Sequence, residues 1–206
     1  MVASRKPTAL PAVDTASRTA TAPQMPQAVQ TAHAMSASLA DVEVQRCGCR
    51  TLRDIAAGST ACKQKVVGVG GLSAVVAAMG RHRNNTHVQC YGCAALQNIA
   101  VGDMACKQKV VETGGLVAVV AAMKQHHHDA DVQRAGCGAL HILTYGREAL
   151  GQAVIDAGGR AAMAEAMKRH RRNVDVQQAG HCALRNITAG SMGAVVDLAS
   201  ADDRRR

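Results

Sequence analysis

Cys137 and His141 stand one helical turn apart, a spacing at which an imidazole could take a thiol's proton and leave a nucleophile. Cys90 and Cys93 have the spacing of half a zinc site, and His82, His126 and His170, joined by His127 and His128, offer the imidazoles zinc prefers. Gly68, Gly70 and Gly71 imitate the opening of a phosphate-cradling loop. None of these patterns closes. No carboxylate shares the local motif of Cys137 and His141, and no second cysteine pair accompanies the first. The glycine segment recurs without a Lys followed by Ser or Thr. The chain is therefore expected to be non-catalytic, with neither cofactor nor metal.

The elements that carry these residues explain why the patterns look chemical. The pair Val-Gln recurs at Val44, Val88, Val132 and Val176, each 44 residues after the last. Ala-Met recurs in the same phase at Met35, Met79, Met123 and Met167, and Gly-Gly at Gly70, Gly114 and Gly158. Such a period means one supersecondary unit stacked on itself. His82, His126 and His170 are then equivalent positions, too far apart to share one tetrahedral ion. A His at a helix C-terminus has a plainer task, donating to orphan carbonyls and complementing the dipole. His141 has Gln97 and Arg185 as its sisters, which removes the idea of a repeated general base.

In the unit 85–128, Asn85 is a good N-cap, as are Asp41, Asp129 and Asn173 at the same place. Val88, Gly92, Leu96 and Ile99 then form one stripe on a helix of about 15 residues. Gly102 ends it in a left-handed position, with Gly58, Gly146 and Gly190 as copies. A short helix follows over 105–112, Gly114 and Gly115 break the chain, and a medium helix carries Leu116, Val119, Val120 and Met123. Gly48, Gly92, Gly136 and Gly180 sit inside the long helix, each costing about 1 kcal/mol against Ala. The expected reason is a helix backbone passing too close for a Cβ. Nothing alternates with period two, so no strand is expected.

Composition agrees with a thin, small-residue core. Phe and Trp are absent and Tyr occurs only as Tyr91 and Tyr145. Cys49, Cys93 and Cys137 share one repeat position, and Cys62 and Cys106 another. Equivalent helices lie roughly 8–10 Å apart, while a disulfide needs Cα atoms within about 7 Å. These cysteines read as buried hydrophobes in a reducing compartment, so the protein is expected inside the cell, in cytoplasm or nucleus. The net charge of +9 favours an acidic partner, with nucleic acid or another polyanion as the alternative.

Val176, Gln177, Gly180, Leu184, Asn186 and Ile187, followed by a Gly-terminated turn, resemble the third helix of an armadillo repeat. Residues 107–123, with Gly114 and Gly115 between short and medium helices, resemble that family's first and second helices, and the likeness runs over about residues 26–199. It implies an all-α fold, a right-handed superhelical solenoid of three-helix armadillo-like repeats. The expected layout is a disordered tail at 1–23, a partial repeat at 24–40, full repeats at 41–84, 85–128 and 129–172, a partial repeat at 173–200 ending in a truncated short helix, and a basic tail at 201–206.

The resemblance also implies where a partner binds. In the family the third helices line a concave groove, and an Asn near each helix end grips an extended peptide. The matching positions are Asp54, Asn98, Ile142 and Asn186. One turn earlier, where the family's peptide binders carry Trp, stand Arg50, Ala94, Gly138 and Cys182. Arg46, Arg50, Arg53, Arg134 and Arg185, with Gln97 and His141, make this surface basic. The expected function is a non-catalytic scaffold holding an extended or helical, acidic segment of another protein. Nucleic-acid binding, or a structural role as a segment of a larger repeat protein, is the alternative.

Overall fold

The computed structural model describes residues 24–146 and 148–203. The expected tail at 1–23 and the trailing Arg204, Arg205 and Arg206 lie outside that range. Among the described residues every regular element is a helix: α1 (Gln24–Ala37), α2 (Val42–Ala56), α3 (Thr60–Gly68), α4 (Gly71–Arg81), α5 (Thr86–Ala100), α6 (Met104–Glu112), α7 (Gly115–Gln125), α8 (Ala130–Thr144), α9 (Glu148–Asp156), α10 (Gly159–Arg169) and α11 (Val174–Asp203). Long helices α2, α5, α8 and α11 pack side by side in one layer, and medium helices α1, α4, α7 and α10 in a second, with the short helices between neighbours. The fold is an all-α solenoid of three-helix repeats. No helix among the described residues is long and apolar enough to cross a membrane.

Each long helix starts where a short polar side chain can close its open N–H groups. Asp41 Oδ1 accepts from Glu43 N and Val44 N, Asn85 Oδ1 from Val88 N at 3.0 Å, Asp129 Oδ1 from Val132 N at 2.9 Å, and Asn173 Oδ1 from Val176 N at 3.1 Å. Leu52, Leu96 and Leu140 then point inward with Ile55, Ile99 and Leu143, against Val66, Val110 and Val154 of the short helices. The repeated Gln adds a clasp. Gln89 is buried, and its Nε2 donates to Met79 O and His82 O, both at 3.0 Å; Gln45, Gln133 and Gln177 make the same pair of bonds at the other levels. One amide thus closes two orphan carbonyls at the end of each medium helix.

The Gly-Gly pairs need glycine twice over. The first of each pair is left-handed, at φ 78° for Gly70, 84° for Gly114 and 82° for Gly158. The second opens the next helix against its neighbour, so that a Cβ at Gly115 would meet Val110 O at 2.9 Å.

Two sequence expectations change. The space at Gly48, Gly92, Gly136 and Gly180 is filled by a methionine side chain and not by a backbone: a Cβ at Gly92 would lie 2.6 Å from Met79 Cγ and Sδ, and Met35, Met123 and Met167 stand over the others. The thioether is thin and flexible enough to lie flat across the glycine. The second change concerns helix ends. Gly102 and Gly146 are left-handed at φ 76° and 91°, but Gly58 is absent from the positive-φ glycines and Gly190 lies inside α11. At Gly58 the turn is made by Ala57 in a right-handed conformation. Beyond Ile187 the separate truncated helix is missing, because α11 runs on to Asp203 and takes in the first residues of the expected basic tail.

Candidate functional site

The row of long helices brings the expected binding residues onto one strip but pairs many of them internally. Arg46 donates through Nε (2.9 Å) and Nη2 (2.5 Å) to Glu43 Oε2, one turn before it. That bond holds the Glu43 carboxyl below its ordinary range and raises the Arg46 guanidinium. Arg53 donates to Asp54 Oδ1 through Nε and Nη2, at 2.9 and 2.6 Å, and its guanidinium carbon sits 5.0 Å from the centre of the Tyr91 ring. Arg134 is 3.6 Å from Asp131. Arg50 and Arg185 are exposed and belong to no ion pair among the described residues.

The amides turn toward the scaffold. Asn98 Nδ2 donates to Arg53 O at 3.0 Å, and Asn186 Nδ2 to Thr144 Oγ1 at 3.3 Å, so each ties its helix to the preceding long helix. Gln97 lies across Gly138, where a Cβ would meet its Oε1 at 2.6 Å. At this level the long-helix surface, bare of a side chain at Gly138, is covered from the neighbouring repeat.

One level carries a pocket. Val101, Met104, Ile142 and Tyr145, with Lys107, His141 and Asp103, enclose about 500 Å³ beside the ends of α5 and α8. Tyr145, one of the two tyrosines, is 65% exposed and lies outside the core. Lys107 is 5% exposed; its Nζ donates to Tyr145 O at 2.7 Å and lies 5.3 Å from the Tyr145 ring centre. Burial lowers the Lys107 pKa. His141 is half-buried, and its pKa is lowered first by burial and then by the charges of Lys107 and Arg185.

The residues that suggested other chemistry have other duties. All eight cysteines are free thiols, and those at the shared positions are buried. The Cys137 thiol is pushed up to about 12 by burial, which leaves no thiolate to pair with His141. The Nε2 atoms of His82, His126 and His170 donate to Leu39 O, Arg83 O and His127 O, at 2.8, 2.7 and 3.0 Å, joining each loop to the one before it.

Glu43 and Asp131, which compensate Arg46 and Arg134, were visible in the sequence as i,i+3 partners. Lys63 and Lys107 left a fainter signal. They recur as Cys-Lys-Gln-Lys at Cys62 and Cys106, yet their partners, Val101 O and Tyr145 O, are 38 residues away.

No protein-family model matches the chain, and no curated protein matches it. Solved structures do. Two engineered proteins from a structural genomics programme superpose with TM-scores of 0.70 and 0.71 at 26% and 27% identity, over 80% and 79% of this chain and 64% of each of theirs. A designed armadillo repeat protein in complex with the peptide (KR)4 matches at TM-score 0.69 and 22% identity, over 79% of this chain and 64% of its own. A second designed armadillo repeat protein matches at 0.67 and 22%, covering 86% of this chain and 79% of its own. The chain thus spans about 64% of the length of the first of these structures. By these superpositions the chain has the fold of an armadillo-like helical repeat protein.

Proposed function

We propose that the chain is a non-catalytic scaffold that binds an acidic, extended segment of a partner protein along the concave row of long helices. One observation carries this reading: interior positions repeat at every level, while the outward strip changes from level to level. Leu52, Leu96 and Leu140 occupy one interior position; Arg50, Ala94, Gly138 and Cys182 occupy one position of the strip. A surface that varies on an invariant frame suits recognition of an aperiodic partner. Arg50 and Arg185 supply uncompensated charge, to which a carboxylate binds bidentately. The pocket between Met104 and Tyr145 accepts an apolar side chain of the same segment. The designed neighbour's (KR)4 peptide is basic; the arginines on this strip favour the opposite sign.

Peptides of about 12 residues selected from a random library on the full chain should be rich in Asp and Glu, spaced around an apolar residue. Reversing Arg50→Glu and Arg185→Glu should weaken the selected peptides by about tenfold or more, since each charge-assisted contact is worth about 1.5–3 kcal/mol. Peptides without acidic enrichment, or binding indifferent to both reversals, would remove the strip from the account.

A further inference from the structure

A second charged surface lies away from the long-helix strip, on the edge where each medium helix turns into the next long one. Three loops stack there. His126 Nε2 bonds to Arg83 O and His170 Nε2 to His127 O, while Gln125 Nε2 donates to Asn84 Oδ1 at 3.2 Å. Each loop is also drawn back on its own helix: Arg83 Nε donates to Gly80 O, Arg171 Nε to Lys168 O, and the His127 ring to Lys124 O. The spacing of the loops is therefore set by hydrogen bonds and not left to chance.

These fixed loops are strongly basic. The first holds Arg81 and Arg83, the second Lys124, and the third Lys168, Arg169, Arg171 and Arg172, all exposed. Against these seven cations stand four carboxylates at the same edge: Glu165 is bound to Arg169, Asp129 is the N-cap of α8, Asp131 pairs with Arg134, and Asp175 lies in the first turn of α11. The first and third loops form open depressions lined by Gly80, Arg, Lys, His and Asn residues, with no apolar side chain.

The geometry points to a site for the phosphate backbone of a double-stranded nucleic acid, read for charge and not for sequence. Five of the seven cations are arginines, whose forks match phosphate oxygens bidentately. The first and third loops carry no apolar side chain of their own, and the apolar pocket that reaches Arg83 and Gln125, lined by Val76, Val117 and Ala121, touches the ridge on one side only. The loops also carry no Tyr, Phe or Trp, and the rings of His82, His126, His127 and His170 are held on backbone carbonyls, which disfavours stacking on a single strand. At roughly 8–10 Å per level the ridge spans about 20 Å, or some six base-pair steps of about 3.4 Å. This inference uses a different face from the peptide strip and does not depend on it.

The test is fluorescence anisotropy with a labelled duplex of about 20 base pairs and the full chain, between about 50 and 200 mM salt. Arg81→Glu, Lys124→Glu and Arg172→Glu together form the ridge variant, since none of these three side chains donates a hydrogen bond within the described residues; Arg46→Glu with Arg50→Glu is the strip control. The wild type should bind with a log–log salt slope of about −0.9 per phosphate contacted, and the ridge variant should lose about tenfold or more in affinity. The strip control should change far less. If circular dichroism shows the ridge variant unfolded, the neutral set Arg81→Gln, Lys124→Gln and Arg172→Gln replaces it, with the same direction expected. No binding at low salt, or equal loss in ridge and strip variants, would overturn the assignment. Equal competition by poly-glutamate would overturn the choice of a duplex in favour of an acidic peptide.

Discussion

The seam between a medium helix and the long helix that follows it is the same at all four levels, whereas the seam between a short helix and the next repeat's long helix is not. In the first seam a methionine lies on a glycine and a glutamine clasps the medium helix's end, at Met35, Met79, Met123 and Met167 alike. In the second, Lys63 ends α5 on Val101 O and Lys107 ends α8 on Tyr145 O, but Gly151 stands where the third lysine would be. There α11 does not end; it passes through Gly190 to Asp203. The partners in the first seam are 13 residues apart at Met79 and Gly92, those in the second 38. The local pair is kept at every level, while the lysine cap is made at two levels and missing at the third.

The largest effect should come from the invariant seam. Met79→Ala removes a side chain 2% exposed and should cost about 2–5 kcal/mol in urea unfolding. Gly92→Ala alone forces a Cβ into Met79 and should cost about 1–3 kcal/mol. The double variant should be less damaging than the two costs added, because the new methyl enters the space the methionine left. Strict additivity would mean that the two residues do not share that space.

The variable seam offers two opposite tests of one idea. Lys107→Met keeps the buried stem but strands Tyr145 O, and should cost about 1–3 kcal/mol with faster amide exchange at the end of α8. Gly151→Lys should supply the missing cap and break α11 near Gly190, seen as lost helical protection just past that residue by hydrogen exchange. A helix that stays continuous in Gly151→Lys would show that the lysine does not set where the long helices end. Because the left-handed Gly102 and Gly146 coincide with a capping lysine, and Gly190 does not, the break is expected.

The same distinction decides what could be read without coordinates. Asp41, Asn85, Asp129 and Asn173 were legible as caps because their bonds close within three residues. The Gly-Gly breaks were legible for the same reason. The inner glycines announced a close approach, but not its source, since a cost at Gly92 does not name Met79 as its cause. The strip was legible as a set of positions, Asp54, Asn98, Ile142 and Asn186, and less so as chemistry. Whether Asn98 faces a ligand or Arg53 O depends on packing between repeats, which no spacing encodes. The charge of the strip was overstated because Glu43, Asp54 and Asp131 compensate three of its arginines.

The smallest effect concerns His141, whose protonation the fold opposes through burial. Burial and the nearby charges of Lys107 and Arg185 lower its pKa, so the unfolded chain takes up this proton more readily than the folded one. Stability from this group is then present above the unfolded value of about 6.5 and is lost as pH falls from there toward the lower folded value. The sister residue at this position is Gln97, which makes His141→Gln a substitution the fold already accommodates one repeat away. Urea unfolding at about pH 7.5 and about pH 5 should show the wild type losing more stability than His141→Gln across the interval. Equal losses would mean that His141 does not carry the decline, because the carboxylates of Glu43, Glu112 and Asp103, whose pKa values are lowered by their own partners, titrate below this interval. The half-buried imidazole sits beside the pocket that ends at Tyr145, so a bound carboxylate would raise its pKa and turn the same titration into a report of occupancy.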